Sequence, residues 1–238
     1  MKINLQVLFE DEHIIAINKP HGLFVHRTRL DPAAIDFVLQ ILRDQIGQKV
    51  YATHRLDRKT SGVLLLTKTK EAHAPVNELF QTKSVSKKYL AIVRGYCDDQ
   101  GSIDYPLVND KGKTQEAMTF YQTLDRVDVP VAFGKFETSR YSLVSLMPET
   151  GRMHQLRKHM SHIFHPIIGD RPHGCNKQNK LFLEHFKMDT MLLHASEIKF
   201  LHPLTGANIM INAPIFSEFA RMLIELGFSY DMFTNHTN

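Results

Sequence analysis

The sequence predicts a domain of mixed α and β elements, because two hydrophobic periodicities alternate along it. Short apolar or alternating runs mark strands: His13-Ile14-Ile15-Ala16-Ile17, Val63-Leu64-Leu65-Leu66 and residues 88–94. Stripes at helical spacing mark helices, as in Ile35, Val38, Leu39, Leu42 and Ile46, or Phe219, Met222, Leu223 and Leu226. With 238 residues, 43% hydrophobic and 23% charged, the chain can bury a sizeable core. No internal repeat or low-complexity linker divides it, so a single domain over residues 1–238 is expected.

Taken in order, residues 5–18 read as a strand pair whose second strand suits burial on both faces. Lys19-Pro20-His21-Gly22 breaks it, since proline restricts the residue before it and glycine permits a tight turn. A helix should open with Asp31 as N-cap and Pro32 in first position, and end at Gly47. Val50-Tyr51-Ala52 follows, then a polar loop over 53–62 and the strand at 63–66. A second amphipathic helix is expected at about 72–82, with Val76, Leu79 and Phe80 on one face. In 88–94 the alternation puts Tyr89, Ala91 and Val93 on one face of a strand. Residues 97–140 read as strand-rich and interrupted by turns. The spacing predicts a helix over 152–163 carrying Met153, Leu156, Met160 and Ile163. A last helix should take Ser217 as N-cap and stop at Gly227.

The longest uninterrupted apolar run, residues 89–93, is far too short to span a bilayer. The N-terminus turns acidic by Glu10 and lacks the apolar stretch of a secretory signal. Cys97 and Cys175 match no metal or redox spacing. The expectation is a cytoplasmic protein with reduced thiols, no membrane association and no obligate protein partner. Net charge is only +4, but it is unevenly spread. Residues 49–94 hold ten Lys and Arg against three Asp and Glu, and residues 135–187 hold nine against four. A polyanion would be drawn to those segments if folding joined them; solvation of ordinary surface is the other reading.

His54-Arg55-Leu56-Asp57-Arg58-Lys59-Thr60-Ser61-Gly62 is the most informative stretch. A carboxylate flanked by arginines is held ionised at neutral pH, available as a nucleophile or base. A structural salt bridge explains the same residues and stays open. Ser61 is not in a Gly-x-Ser-x-Gly turn, so a serine-hydrolase elbow is unsupported. A second stretch runs Thr150-Gly151-Arg152-Met153-His154-Gln155-Leu156-Arg157-Lys158-His159. Arg157 borders its apolar stripe, where a cation can reach into a partly buried site while its stem packs on the core. A solvated basic face is the alternative. His154, His159, His162 and His165 crowd one region, yet no His-Glu-x-x-His occurs and no cysteine stands at ligand spacing.

These residues resemble the RluA-type pseudouridine synthases. His54-Arg55-Leu56-Asp57 with Thr60-Ser61-Gly62 is similar to that family's catalytic motif. Lys88-Tyr89-Leu90-Ala91-Ile92-Val93-Arg94-Gly95 is similar to its tyrosine strand. Thr150-Gly151-Arg152, His154-Gln155-Leu156-Arg157 and His165-Pro166-Ile167-Ile168-Gly169-Asp170 are similar to its third motif. Glu10-Asp11-Glu12 through Asn18-Lys19-Pro20-His21-Gly22 fits the opening strand pair. Leu193-His194-Ala195 and His202-Pro203-Leu204-Thr205-Gly206 fit the closing one. The resemblance covers about residues 7–214 with motifs in family order. His26-Arg27, residues 44–48, Ser161-His162, His173-Gly174 and residues 179–182 are similar to the branch acting on uridine 65 of tRNA.

The resemblance implies an α+β fold, a mixed and largely antiparallel sheet flanked by helices around a central cleft. No separate N-terminal RNA-binding module is expected, so RNA, most simply tRNA, would be met by the catalytic domain itself. The implied reaction cuts the N1–C1′ bond of a uridine, turns the base and rejoins it through C5, with no cofactor and no metal. Asp57 is implied as the catalytic carboxylate, Arg157 as its basic partner and Tyr89 as the ring that stacks on the uracil. Arg55 is implied to fill the gap left by the flipped base, and Leu156 to wall off water. Arg58, Arg152 and His154 are expected as further RNA or substrate contacts. Three other readings stay open: a ribosomal RNA synthase of the same family, a non-catalytic RNA-binding protein, and a metal hydrolase using the histidines.

Overall fold

The computed structural model describes residues 3–26 and 36–229. In chain order its elements are β1 (Gln6–Glu10), β2 (Ile14–Lys19), α1 (Val38–Ile46), β3 (Tyr51–Ala52), β4 (Ser61–Thr67) and α2 (Lys70–Gln81). Then come β5 (Ser86–Arg94), β6 (Gln100–Asp104), β7 (Leu107–Val108), β8 (Thr114–Gln115), β9 (Met118–Val129) and β10 (Ser139–Pro148). The chain continues through α3 (Gln155–His162), α4 (Asn176–Phe186), β11 (Leu193–Leu201), β12 (Asn208–Asn212) and α5 (Ser217–Leu226). The described residues fall into two compact units, drawn from 1–88 with 194–214 and from 89–193 with 215–238. This is the α+β class that the sequence predicts. No described helix is long and apolar enough to cross a membrane.

In the first unit β2 lies antiparallel between β1 and β4, with Ile17 opposite Val7 on one side and Leu64 on the other. Four successive residues, Ile14 to Ile17, are fully buried, as a strand covered on both faces requires. β4 runs parallel to β11, pairing Ser61 with His194 and Gly62 with Ala195, while β12 returns antiparallel along β11. Ile14, Ala16, Val63, Leu65, Val76, Ile198 and Ile211 form the core on one face.

The first helix begins at Val38, later than its sequence stripe predicts. Phe37 is extended, at φ −134° and ψ 143°, and pairs with Phe24. The amides of Val38 and Leu39 donate to the carbonyls of Phe24 and Val25, so the helix start is satisfied by a neighbouring segment rather than by a side-chain cap. Gly47 closes α1 in the left-handed conformation, as expected. Asp31, Pro32 and Ile35 lie outside the described residues, as does Arg27.

The second unit is built on the antiparallel order β5, β10, β9, β6. The alternation in β5 sorts its side chains as predicted. Tyr89, Ala91 and Val93 pack on the side of Leu156 and Met160, while Leu90 and Ile92 pack with Phe182, Phe219 and Met222. Two helix starts differ from expectation. α3 begins at Gln155, because His154 takes the left-handed conformation and Met153 is exposed rather than part of the stripe. α5 begins at Ser217 itself, with Phe216 in the cap position and Gly227 ending the helix. Helix α4 has only the pair Phe182 and Phe186, one turn apart, as its buried apolar face, too thin a stripe to predict it.

Candidate active site

Strand β2 delivers Lys19, with no exposed surface, to the back of the loop that carries Asp57. Its ammonium donates to the carbonyls of Pro20 at 2.9 Å, Arg58 at 3.1 Å and Thr60 at 2.8 Å. Asp57 opens a tight turn in which the amide of Thr60 donates to the Asp57 carbonyl at 3.1 Å. Gly22 and Arg58 bond reciprocally: the Gly22 amide donates to the Arg58 carbonyl and Arg58 Nε to the Gly22 carbonyl. The Arg58 guanidinium lies over the Phe24 ring, 4.8 Å from its centre. Burial lowers the Lys19 pKa to about 7, opposed by the charge of Asp57. Three carbonyl acceptors match the three N–H donors of the ammonium form. The half-buried Asp57 therefore heads a turn fixed from behind, with Arg55 exposed beside it and Leu56 buried.

The flanks of this loop are equally constrained. His54 stacks on Phe80 at 4.6 Å, and its Nε2 accepts from the Leu65 amide at 3.0 Å. Burial, with Lys87 nearby, lowers its pKa to about 3, so it is a neutral structural group. Ser61 donates to Nδ1 of His194 at 2.9 Å, and His194 Nε2 donates to the Ala213 carbonyl at 3.2 Å. Gly62 has φ +107°, and a Cβ there would stand 2.1 Å from the Ala195 carbonyl oxygen. Only glycine fits between the strands at that point.

In the second unit the Arg157 guanidinium is buried and bidentate to Asp170, Nε to Oδ2 at 2.8 Å and Nη2 to Oδ1 at 2.7 Å. Two planar groups joined this way have one relative orientation, which fixes the plane of the cation. The loop holding Asp170 is itself tied down by Asn179, whose side chain accepts from the Gly169 amide and donates to the Asp170 carbonyl. Gln155 anchors the turn before α3. Its oxygen accepts from the Arg152 amide and Thr150 hydroxyl, and its nitrogen donates to the Met118 carbonyl and Thr119 hydroxyl. Arg152 donates through Nε to the Glu116 carbonyl. Half-buried Tyr89 packs with Leu156 in the same apolar cluster.

The crowded histidines have separate occupations. His159 contacts the Thr119 hydroxyl and the Tyr105 carbonyl, both at 3.0 Å; His162 stacks on Tyr105; His165 Nδ1 bonds the Arg94 carbonyl. His154 faces His173 at 2.9 Å. Among the described residues no group of three or more His, Cys, Asp or Glu is arranged to hold a metal ion.

The structure thus gathers Arg55, Asp57 and Arg58 in one loop of the first unit, and Tyr89, Arg152, His154, Leu156 and Arg157 in the second. Sequence reasoning missed Lys19, Asp170 and His173 as supports of these groups. Lys19 carried one signal: a lysine ending a strand whose first four residues, Ile14 to Ile17, are apolar.

A family model described as RNA pseudouridylate synthase matches residues 13–162, drawn from both units. The chain is 42% identical to tRNA pseudouridine synthase C of Vibrio cholerae serotype O1, over 97% of this chain and 99% of that protein. It is 44% identical to the protein of the same name from Haemophilus influenzae, over 94% and 98%. Among solved structures it is similar to human RNA pseudouridylate synthase domain containing 4, with a TM-score of 0.70, 28% identity and 93% of each chain covered. Human RNA pseudouridylate synthase domain containing 1 shares the fold, with a TM-score of 0.71 at 22% identity over 91% and 86%. By the match of its family model and its identity to these relatives, the chain belongs to the RNA pseudouridylate synthase family.

Proposed function

We propose that this RNA-modifying isomerase acts on tRNA in the cytoplasm, converting uridine 65 to pseudouridine with Asp57 as its catalytic carboxylate. The observation that carries the tRNA assignment is identity above 40%, over nearly the whole of both chains, to proteins named tRNA pseudouridine synthase C. The assignment of uridine 65 rests on the motif resemblance at His26-Arg27, residues 44–48, Ser161-His162, His173-Gly174 and residues 179–182. The two units act as one catalytic domain, in keeping with a family match that draws on both.

Cleaving the N1–C1′ bond builds oxocarbenium character at C1′, which a fixed carboxylate stabilises or traps covalently. The Lys19 clamp supports this role, because a carboxylate on a pinned turn need not be ordered during the reaction. Arg157, its plane held by Asp170, is the basic partner that the family resemblance implies. Tyr89 stacks on the uracil, and Leu156 beside it excludes water. The target base leaves its helix to react, and Arg55 fills the space. Arg58, Arg152 and His154 contact the RNA around it. The reaction is redox-neutral and needs no energy input, so these side chains suffice.

The test is chemical mapping of pseudouridine in RNA from cells lacking the gene, complemented with the wild-type chain or Asp57→Ala. Position 65 of tRNA should lose its modification and regain it only with the wild-type chain. Loss in ribosomal RNA instead would move the assignment to that substrate. Restoration by Asp57→Ala would remove Asp57 from its role.

A further inference from the structure

Two histidines of the second unit meet at the start of α3. His154 Nδ1 and His173 Nε2 are 2.9 Å apart, with the rings near perpendicular. One must donate and the other accept, so the pair shares a single proton on that axis, and the tautomer of one ring sets that of the other. His154 is held where a side chain rarely goes, at φ 56° and ψ 26° in the left-handed region. Such a conformation persists only when its surroundings enforce it. Its carbonyl accepts from the Lys158 amide, which fixes the backbone, and its ring meets that of His173.

His173 is in turn built into the loop that holds Arg157. Its amide donates to Asp170 Oδ1 at 3.3 Å, the same oxygen that accepts from Arg157 Nη2. A Cβ on Gly174 would stand 1.9 Å from the Asp170 carbonyl oxygen, so glycine alone lets this segment fold back against Asp170. We propose that His173 is a positioning residue for isomerisation, setting the orientation and tautomer of His154 and tying it to the carboxylate that aims Arg157. This rests on the assignment of His154 and Arg157 to the substrate site.

The groups facing His173 are Asp170, Arg157, His154 and Lys158. Burial is the largest influence and lowers the His173 pKa; Asp170 opposes it, and the cations and His154 add to it. His173 is therefore neutral at pH 7, and acid breaks the hydrogen bond only once both rings are protonated and no acceptor nitrogen remains.

The experiment is single-turnover isomerisation of tRNA between pH 5 and 8 by the wild-type chain, His173→Phe, His173→Gln, His154→Ala and the double variant His154→Ala with His173→Phe. His173→Phe keeps the ring volume without its nitrogens. It should lower the plateau rate at saturating tRNA about tenfold, roughly 1.4 kcal/mol of barrier, while tRNA affinity changes less than threefold. His173→Gln, whose amide can still meet His154, should recover most of that rate and shift the acid limb. The double variant should be no slower than His154→Ala. An unchanged rate and acid limb in His173→Phe, or equal losses in the Phe and Gln variants, would overturn the inference. Normal activity of His154→Ala would instead overturn the assignment of His154 to the substrate site.

Discussion

The guanidinium of Arg157 is joined edge to edge to the carboxylate of Asp170, thirteen residues further along, by two hydrogen bonds of 2.8 and 2.7 Å. Both side chains are buried, at 7% and 1% exposure, so each neutralises a charge that could not stand there alone. Arg157→Met strands the Asp170 carboxylate and should cost about 3–5 kcal/mol of stability besides slowing isomerisation. Asp170→Asn should do the same to stability. Combining Arg157→Met with Asp170→Leu should restore much of the stability and none of the rate. Urea unfolding with single-turnover kinetics separates the two, and a double variant with restored rate would remove Arg157 from chemistry.

Lys19 serves the Asp57 loop without belonging to it. Lys19→Met keeps the buried stem and removes all donors, leaving the carbonyls of Pro20, Arg58 and Thr60 without that partner. Stability should fall by roughly 3 kcal/mol, since an unsatisfied buried acceptor costs about 1–3 kcal/mol. The rate at saturating RNA should drop at least tenfold as the turn loses its fixed geometry, about 1.4 kcal/mol of barrier. Full activity in a folded Lys19→Met preparation would show that the clamp holds the fold and not the carboxylate.

Arg55 is exposed where Arg157 is buried, and the two should fail differently. Arg55→Ala should hurt most when the target uridine is paired, because extrusion then costs a few kcal/mol more. A substrate with that uridine in an unpaired loop should partly rescue Arg55→Ala but not Arg157→Met. Lysine should replace Arg55 poorly, since a planar guanidinium stacks among bases and an ammonium does not. Equal rescue of both variants would refute the division.

His194 makes stability depend on pH. Burial lowers its pKa to about 4, the Ala213 carbonyl opposing, against about 6.5 in the unfolded chain. Between those values the unfolded chain binds a proton that the folded chain refuses. Stability is therefore intact above pH 6.5 and falls as pH falls towards 4, by about 1.4 kcal/mol per unit from this group. Urea unfolding at pH 7, 6 and 5 should show at least that slope, since buried His54 adds to it, and His194→Gln should remove the His194 share. An unaltered slope in the variant would mean other groups set the acid sensitivity.

Local periodicity made much of the fold legible. The alternation in β5 predicted which residues face Leu156, the apolar run at residues 14–17 predicted a strand covered on both faces, and Gly47 and Gly227 end α1 and α5 as expected. Those features depend on residues within a few positions of one another, so a window of sequence contains their cause. The loop around Asp57 stood out in the sequence by its charge pattern, which by itself left a structural salt bridge open.

What only the tertiary structure decided are the partners that make those groups rigid. α1 starts at Val38 because Phe24 and Val25 supply its first acceptors, and α3 starts at Gln155 because Met118 and Thr119 hold that side chain. Lys19 meets Thr60 across 41 residues, and Ser61 meets His194 across 133. A buried polar group must find a hydrogen-bond partner wherever the folded chain supplies one. Sequence spacing carries no trace of that choice, because it is made by packing in three dimensions.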